Sequence, residues 1–406
     1  MDIKRKNIPD GMRDMIGKET EPAAKLGQKL CGLYAKRGFE KAETPALEYY
    51  DVFNFKSQTI PEENMFKLTD KSGRLVVLRP DNTTPMARIA ATRLKNAPLP
   101  IKLYYNQNVY RVSHGYSGKR CEFTQTGIEI IGGDRKKTDI EAIITAIRTL
   151  REISAFFGGN IKYNLEIGHA GFCKALLDSM DLERSELETV RRYVGAKSFS
   201  ALDFGFDETD GAKKAALEKI RQLPRLYGSK EVLDKAREIS QNNEKALDAA
   251  NYISEILDIL EINGLSENVS VDMAIVNDME YYTGLVFRGY IEYAGEPVLG
   301  GGRYDNLLSN FDMNAPATGF GVNLSVIADK LTRAVGTSEK KQKTVLVHYS
   351  DAKLLSRAVN YIENCGDICT LSCFESLEAA LEYAKSAGIE KTVEITSGGI
   401  REVTAL

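Results

Sequence analysis

The chain has 406 residues, of which 43% are hydrophobic, so it is long enough to bury a large core in two or three domains. Its 54 Lys and Arg residues nearly balance 57 Asp and Glu residues, and a formal net charge of −3 excludes a bulk positive field that attracts polyanions. No apolar run reaches the roughly 18 to 20 residues that span a bilayer, and the N-terminal MDIKRKNIPDGMRD lacks the apolar stretch of a secretory signal. We therefore expect a globular cytoplasmic protein.

The first predicted helix runs from about Pro22 to Arg37. Its apolar residues recur at the three- and four-residue spacing of one helix face, and Gly38 closes it. Strand-like runs follow at residues 75–78, 101–110 and 122–131, with glycine and charged residues between them. This succession predicts an antiparallel sheet with a helix packed against it.

A second helix is predicted from its N-terminal capping signal. Thr138 and Glu141 stand three residues apart, just before an apolar helical pattern that includes Ile143, Ile147 and Leu150. This arrangement is typical of a capping box at the start of an amphipathic helix. Residues 172–265 are rich in Leu, Lys, Glu and Ala at helical spacing, which predicts a helical insertion interrupted near residues 195–211.

The remaining strands of the sheet are predicted late in the sequence. Strand patterns return at residues 271–275 and 282–287, and the glycines at 300–302 indicate a sharp turn before Arg303. A polar stretch, residues 336–343, predicts a linker between a core of residues 1–335 and a C-terminal domain of residues 344–406. Strands and helices alternate in that domain, which favours a small α/β domain with a mostly parallel sheet.

The six cysteines are scattered through a long chain, and we expect them to be free thiols. Cys365, Cys369 and Cys373 recur every four residues, a spacing that raises the alternative of a metal or iron–sulfur site. Their segment alternates like a strand, so Cys369 and Cys373 would lie about 13 Å apart at ~3.3 Å per residue, too far for one ion. The three histidines do not supply a zinc pattern, and we predict no metal and no cofactor.

The strand at residues 122–131 carries the most informative pattern. Successive side chains of a strand alternate between its faces, so Gln125, Gly127 and Glu129 share one face while Ile128 and Ile130 lie on the other. An amide and a carboxylate that flank a glycine can form a binding site for a small polar ligand. A solvated strand face is the alternative interpretation.

Other polar groups are expected around the same sheet. They are Asp81 with Thr83, the pair Tyr281 and Tyr282, and residues 300–305. A carboxylate and a hydroxyl suit an α-ammonium group. Glu129 and a tyrosine hydroxyl suit an imidazole, whose two nitrogens both form hydrogen bonds. Histidine fits both requirements, so the pattern favours a histidine site.

Five motifs together resemble histidyl-tRNA synthetase, a class II aminoacyl-tRNA synthetase, and they stand in the order of that family. They are PDGMRD, LRPDNTTP, the segment from YRVS to EFTQTGIEIIG, MEYYTGLVF and LGGGRYDNL. The resemblance covers nearly the whole chain. It implies an α+β fold, in which helices flank a class II synthetase-like antiparallel sheet and the C-terminal α/β domain is similar to a shortened anticodon-binding domain.

The resemblance also implies a set of histidine-binding residues. They are Asp81, Thr83, Arg111, Gln125, Glu129, Tyr281 and Tyr282. By this resemblance Asp81, Thr83 and Gln125 take the amino group, and Glu129 with Tyr282 takes the imidazole. Asp81 stands where the enzymes usually have glutamate. Arg111 matches the arginine that holds the α-phosphate of ATP, although a structural ion pair is an alternative role for it.

Departures from the family pattern fall on positions that handle ATP in the synthetases. Asn277 stands at the arginine that precedes the double tyrosine, and Ser113 replaces a glutamate beside the Arg111 position. Ser325 and Val326 replace a glutamate and an arginine that clamp ATP. The loss of one positive group that stabilises developing charge commonly costs ~10² to 10³ in rate. The resemblance therefore implies no catalytic residues.

A histidine site without ATP handling resembles the family of regulatory subunits that partner a short-form ATP phosphoribosyltransferase. That resemblance implies a partner, the short-form catalytic subunit, which the chain activates in the first step of histidine biosynthesis. It further implies L-histidine as the inhibitory effector and a homodimer within a hetero-octamer. No nucleic-acid or membrane partner is expected, and the tail beyond residue 341 has more acidic than basic residues, unlike an anticodon reader.

The sequence alone leaves two alternatives open. A divergent but active histidyl-tRNA synthetase would need replacement arginines, for which Arg88, Arg120 and Arg303 are the candidates. A synthetase paralogue that serves another pathway is the second alternative. The sequence also leaves open whether histidine binds in the ancestral substrate pocket or at a subunit interface.

Overall fold

The computed structural model describes residues 6–55, 60–112, 120–179, 184–195, 218–219, 221–275, 282–336 and 344–403. The chain forms two compact units, residues 1–337 and 338–406. The division falls within the predicted linker, of which residues 337–343 lie outside the described residues. None of the helices in the described part of the chain is long and apolar enough to cross a bilayer.

The first unit contains twelve strands within the described residues. They are β1 (Glu40–Lys41), β2 (Leu47–Tyr49), β3 (Lys67–Thr69), β4 (Leu75–Leu78), β5 (Ile101–Tyr110), β6 (Glu122–Ile131), β7 (Tyr163–His169), β8 (Tyr227–Gly228), β9 (Val269–Asp272), β10 (Leu285–Ile291), β11 (Leu299–Arg303) and β12 (Ala317–Asn323). Strands β4, β5 and β6 have the bounds that the sequence predicts.

The helices of this unit flank the strands. They are α1 (Glu21–Lys36), α2 (Thr83–Thr92), α3 (Arg135–Phe156), α4 (Ala170–Asp178), α5 (Arg184–Gly195), α6 (Val232–Ile239), α7 (Glu244–Ile262) and α8 (Leu324–Val335). Short 3-10 turns lie at Gly17–Glu19, Tyr50–Val52, Glu62–Asn64, Leu223–Arg225 and Leu308–Phe311.

A nine-stranded sheet in the order β1-β5-β6-β12-β11-β10-β7-β9-β8 forms the centre of the first unit. Its neighbouring strands are antiparallel except for the pairs β1–β5 and β7–β9. Strands β2, β4 and β3 form a separate antiparallel sheet. This architecture confirms the predicted α+β fold with a mainly antiparallel sheet flanked by helices.

The main core lies between one face of the large sheet and the helices. Ile128 and Ile130 of β6 are buried there with Leu30 of α1 and Leu150 of α3, as the alternation of β6 predicts. Burial of one such side chain stabilises the fold by about 1.5–3 kcal/mol. The opposite face of β6 carries Gln125, Gly127 and Glu129 and ends at Ile131, which is buried in a second apolar cluster with Leu103.

Helix α3 begins earlier than the capping pattern predicts. Asp134 is the residue that caps it, since its carboxylate accepts a hydrogen bond of 2.9 Å from the backbone N–H of Lys137. The prediction of a capping box at Thr138 and Glu141 is wrong. Thr138 lies in the first turn, where its hydroxyl donates to the carbonyl of Asp134 at 2.9 Å. Glu141 instead forms an ion pair with Arg37.

The glycines at 300–302 also depart from the prediction. They lie inside strand β11 rather than in a sharp turn. A Cβ on Gly301 would meet the carbonyl oxygen of Gly319 at 2.3 Å, and one on Gly302 would meet that of Leu285 at 2.6 Å. The glycines therefore permit close approach of neighbouring strands, which a single sequence does not separate from a turn signal.

The segment 172–265 is mainly helical where it is described, as predicted. Its apolar residues, such as Leu176 and Leu257, belong to the same core as the large sheet. Strand β8 was not predicted. The predicted interruption at residues 195–211 lies, apart from Gly195, outside the described residues, and the late strands begin at Val269 and Leu285 rather than at 271 and 282.

The second unit is a small α/β fold. Its elements are β13 (Thr344–Tyr349), a 3-10 turn (Ala352–Leu354), α9 (Leu355–Asn364), β14 (Ile368–Leu371), α10 (Leu377–Ala387), β15 (Lys391–Thr396) and β16 (Gly399–Val403). The sheet order is β14-β13-β15-β16, with the first three strands parallel, as predicted. The last strand, β16, is antiparallel to β15 and was not predicted.

The cysteines of the chain are all free thiols in this structure. Cys369 lies in β14, but Cys373 follows the end of that strand, so the predicted strand through both residues is too long. No group of three His, Cys, Asp or Glu side chains that could hold a metal ion occurs among the residues described.

Candidate functional site

A cavity lies on the polar face of the large sheet, over the middle of β5, β6, β11 and β12. The predicted site residues that line it are Asp81, Thr83, Arg111, Gln125, Glu129 and Tyr282. They come from four separate stretches of sequence, so the fold brings together six of the seven predicted residues. The seventh, Tyr281, lies outside the described residues, as do Ser113 and Asn277.

Glu129 lies at the base of the cavity and is only 1% exposed. One carboxylate oxygen accepts a hydrogen bond of 2.8 Å from the hydroxyl of Thr83, and the other accepts one from the hydroxyl of Tyr304. Thr83 is therefore bonded to Glu129, in addition to any contact that it makes with a ligand. Tyr304 was not among the predicted site residues, although it stands in the RYD sequence that follows the glycines.

Burial raises the pKa of the Glu129 carboxyl from 4.5 to about 8, and the nearby charge of Asp81 acts in the same direction. The hydrogen bonds from Tyr304 and Thr83 oppose this rise without cancelling it. Glu129 is therefore largely neutral at pH 7. A neutral carboxyl both donates and accepts a hydrogen bond, which suits an imidazole ring.

Asp81 lies on the loop between β4 and α2 and is 6% exposed. Its carboxylate accepts hydrogen bonds from the backbone N–H of Thr84 at 3.0 Å and from the Thr84 hydroxyl at 3.3 Å. These bonds fix the carboxylate at the first turn of α2 while it lines the cavity. A fixed carboxylate of this kind is a suitable partner for an ammonium group.

Gln125 is held through its amide oxygen. Asn82, which is fully buried, donates its side-chain N–H to the Oε1 atom of Gln125 at 3.0 Å. Gln107, opposite Gln125 on β5, donates to the Oδ1 atom of Asn82 at 2.8 Å. The three amides thus form a chain of hydrogen bonds that ends at the cavity.

Glycines of β6 and β12 make room for these side chains. A Cβ on Gly319 would lie 2.0 Å from the carboxylate of Glu129, and one on Gly321 would lie 2.5 Å from the amide nitrogen of Gln125. Gly127 is opposite Gly321 in the sheet, and a Cβ there would lie 2.6 Å from the hydroxyl of Tyr105. The cavity therefore depends on glycine at three positions, of which the sequence prediction named only Gly127.

Arg111 is the cationic side chain of the cavity among the lining residues that are described. Its Nε donates to the carbonyl of Pro80 at 2.8 Å, and its guanidinium lies 5.5 Å from the centre of the Phe123 ring. These contacts hold the guanidinium at the cavity wall.

The three arginines named as replacements in the synthetase alternative do not line the cavity. Arg88 pairs with a nearly buried glutamate at 2.6 Å, and Arg120 pairs with an aspartate at 2.6 Å. Arg303 is 1% exposed and pairs with the fully buried Asp139 at 2.7 Å. Each guanidinium is therefore committed to a carboxylate elsewhere in the unit.

The start of helix α8 is the place where the synthetases are expected to carry an ATP clamp. Here the Ser325 hydroxyl accepts a hydrogen bond of 3.0 Å from the backbone N–H of Thr124 in β6. Val326 packs against the main hydrophobic core. Both side chains have structural partners, and neither carries a charge for a nucleotide.

Tyr105, Gly300, Tyr304, Gly319, Phe320 and Gly321 also line the cavity and were not predicted individually. Tyr105 and Gln107 are two positions apart on β5 and therefore share a face, and this spacing is the sequence signal that could have placed Tyr105 at the cavity. Residues 319–321 belong to β12, whose GFG sequence resembles a turn as much as a strand. Their role depends on pairing with β6, which is a contact between residues nearly two hundred positions apart.

Comparison with known proteins shows the family of this chain. Residues 11–327 match the family model of histidyl-tRNA synthetase. A relative from Clostridium novyi (strain NT), named ATP phosphoribosyltransferase regulatory subunit, is 37% identical over 399 residues, covering 97% of this chain and 93% of the relative. A relative of the same name from Bacillus cereus (strain ZK / E33L) is 33% identical over 402 residues, covering 98% and 94%.

Solved structures of similar fold include a protein of the same name. The crystal structure described as an ATP phosphoribosyltransferase regulatory subunit/histidyl-tRNA synthetase from Bacillus halodurans C has a TM-score of 0.80 at 29% identity, covering 96% of this chain and 97% of that one. Histidyl-tRNA synthetase from Nostoc sp. PCC 7120 shares the fold with a TM-score of 0.74 at 20% identity, covering 98% and 97%. The chain therefore belongs to the family of ATP phosphoribosyltransferase regulatory subunits, which have the histidyl-tRNA synthetase-like fold.

Proposed function

We propose that this chain is a non-catalytic subunit that activates a short-form ATP phosphoribosyltransferase and conveys feedback inhibition by histidine. It binds histidine in the cavity over β6 and binds the short-form catalytic subunit through its surface. Occupation of the cavity changes the activity of the partner through a coupling free energy between the two sites.

One observation carries this proposal: the cavity keeps the polar groups for an amino acid, while the groups expected to clamp ATP are replaced. Asp81 and Glu129 line the cavity, and Ser325 and Val326 have structural partners instead of a nucleotide. A feedback sensor must recognise the end product of a pathway without consuming it. Recognition without activation of the amino acid meets that requirement.

The lining residues suit the three polar parts of histidine. The Asp81 carboxylate is placed to accept from the α-ammonium group, and the Arg111 guanidinium is a suitable partner for the α-carboxylate. Burial raises the pKa of Glu129 to about 8, so its carboxyl is largely neutral at pH 7 and can donate one hydrogen bond to the imidazole or accept one from it. Charges and hydrogen-bonding groups are then matched one to one.

The experiment that tests the proposal combines the purified chain with the short-form catalytic subunit of its own organism. Formation of phosphoribosyl-ATP is measured with and without histidine. We expect stimulation by the chain and reversal of the stimulation by histidine. An unchanged rate in the mixture would refute the regulatory role.

A matched pair of variants on β6 tests the site. Glu129→Ala should weaken inhibition by histidine more than it weakens activation, because it removes the imidazole partner. Glu122→Ala, on the same strand but outside the cavity lining, serves as the control and should leave inhibition unchanged. Equal loss of activation and inhibition in Glu129→Ala would indicate misfolding and not loss of a sensor.

The synthetase alternative gives an opposite result in a separate assay. A divergent histidyl-tRNA synthetase would catalyse pyrophosphate exchange that depends on both histidine and ATP. We expect none from this chain. The proposed assembly, a homodimer within a hetero-octamer, is tested by the molecular mass of the complex in solution.

A further inference from the structure

We propose that Gln125 donates an amide N–H to the α-carboxylate of the bound amino acid, and that Asn82, Gln107 and Thr44 fix it in that orientation. This inference rests on the proposed function, because it concerns how the same cavity recognises its ligand. It differs from the role that the family resemblance implies, in which Gln125 takes the amino group.

The orientation of the Gln125 amide is determined by a backbone donor outside the cavity. The backbone N–H of Thr44 donates to the Oε1 atom of Gln107 at 3.1 Å. The Nε2 atom of Gln107 then donates to the Thr44 hydroxyl at 3.0 Å and to the Oδ1 atom of Asn82 at 2.8 Å. Asn82 donates in turn to the Oε1 atom of Gln125 at 3.0 Å.

The direction of this chain is fixed because a backbone N–H can only donate. Rotation of the Gln107 amide by half a turn would place its NH₂ group against the N–H of Thr44. Rotation of Asn82 alone would place its NH₂ group against that of Gln107. Each amide therefore determines the next, and the backbone of Thr44 determines all three.

Burial enforces the arrangement. Asn82 is fully buried and Thr44 is 8% exposed, so water does not replace a hydrogen bond that either one loses. Two buried donors that face each other both lack an acceptor, and such unsatisfied groups strongly destabilise a protein interior. The observed direction is thus the stable one.

The consequence at the cavity is that Gln125 presents a donor. Its oxygen is bonded to Asn82, and its nitrogen lies over β12, where a Cβ on Gly321 would be 2.5 Å from it. Both Gln125 and Gly321 line the cavity. Of the polar parts of histidine, the α-carboxylate is the group that only accepts hydrogen bonds. The Arg111 guanidinium lines the same cavity and adds positive charge for that group.

The test uses three ligands and one neutral substitution. Histidine, histamine, which lacks the carboxylate, and imidazolepropionate, which lacks the ammonium group, are titrated into the wild-type chain and Gln125→Met by calorimetry. We expect Gln125→Met to lower the affinities for histidine and imidazolepropionate on the order of tenfold. The affinity for histamine should change by less than about twofold. The melting temperature of each variant confirms that it is folded.

The opposite pattern would overturn the inference. If Gln125 accepted a hydrogen bond from the ammonium group, the variant would have lower affinity for histidine and histamine and unchanged affinity for imidazolepropionate. Equal losses for all three ligands would also contradict a role at the carboxylate. Failure of the wild-type chain to bind histidine would instead reject the proposed histidine site, so the two failures are distinguishable.

Gln107→Met tests the positioning role, since Gln107 does not line the cavity. It removes the donor that fixes Asn82, and we expect a selective loss of several-fold for the two ligands with a carboxylate. Asn108→Ala is the matched control, because Asn108 is the next residue of β5 and bonds to Glu122 at 2.7 Å. Unchanged affinities in Gln107→Met would show that the amide chain does not orient Gln125.

Discussion

Replacement of Glu129 by Gln should make the stability of the first unit less sensitive to pH. The Glu129 carboxyl is buried between the hydroxyls of Thr83 and Tyr304. Glutamine has nearly the same shape and, like a neutral carboxyl, offers one acceptor and one donor. It therefore preserves the hydrogen bonds of the protonated state and removes the possibility of ionisation.

The sign of the effect follows from the pKa of Glu129, which burial raises from 4.5 to about 8. Between these values the folded protein binds more protons than the unfolded chain, so the free energy of unfolding decreases as the pH rises. A tenfold change in a proton equilibrium is worth ~1.36 kcal/mol, and full ionisation therefore costs the fold up to about 5 kcal/mol. The cost is absent below pH 4.5 and complete above pH 8.

The measurement is urea unfolding of the wild-type chain and Glu129→Gln between pH 5 and pH 9. We expect the variant to gain stability relative to the wild type as the pH rises, by several kcal/mol over the range. The contributions of other titrating groups cancel in the difference between the two free energies of unfolding, because both chains have those groups. Parallel stability curves would refute the raised pKa and the neutral state of Glu129.

Three further perturbations test other parts of the first unit. Asp139→Ala should destabilise it by about 3 kcal/mol in urea unfolding, because Arg303 then loses its fully buried charged partner and keeps only the partly exposed Asp305. Gly319→Ala should lower the melting temperature and weaken histidine binding, whereas Gly300→Ala, where a Cβ meets nothing within 4 Å, should preserve stability. Burial and nearby positive charge lower the pKa of His169 from 6.5 to about 4. The unfolded chain binds the extra proton in that range, so stability should fall as the pH drops from 6.5 to 4, and less so in His169→Asn.

Local periodicity was sufficient to predict the strands that carry the site. The ten residues of β6 alternate strictly enough that Gln125 and Glu129 could be placed on one face and Ile128 on the other. The structure places the first two in the cavity lining and the third in the core. Such predictions succeed because the side-chain period of a strand depends on backbone geometry and not on distant residues.

Features that depend on distant residues were not predictable in the same way. The hydroxyl of Tyr304 meets Glu129 across 175 positions of sequence, and no local pattern indicates that contact. The helix-capping signal at Thr138 does not start α3, because Asp134, one turn earlier, supplies the acceptor for a free backbone N–H group. The Tyr304 contact thus depends on tertiary structure, whereas the cap of α3 depends on a choice between two nearby acceptors that the local pattern does not decide.

The charges around the cavity support the proposal that it binds an amino acid and not a nucleotide. Two carboxyl groups, Asp81 and Glu129, line it within the described residues, and Arg111 is the cation beside them. A triphosphate brings about four negative charges and requires several fixed cations, whereas a zwitterion requires one partner of each sign. Because Arg88, Arg120 and Arg303 are each held by a carboxylate elsewhere, recruitment of any one of them would leave a carboxylate unpaired. Among the described residues, these three arginines therefore supply no cation for a nucleotide at the cavity.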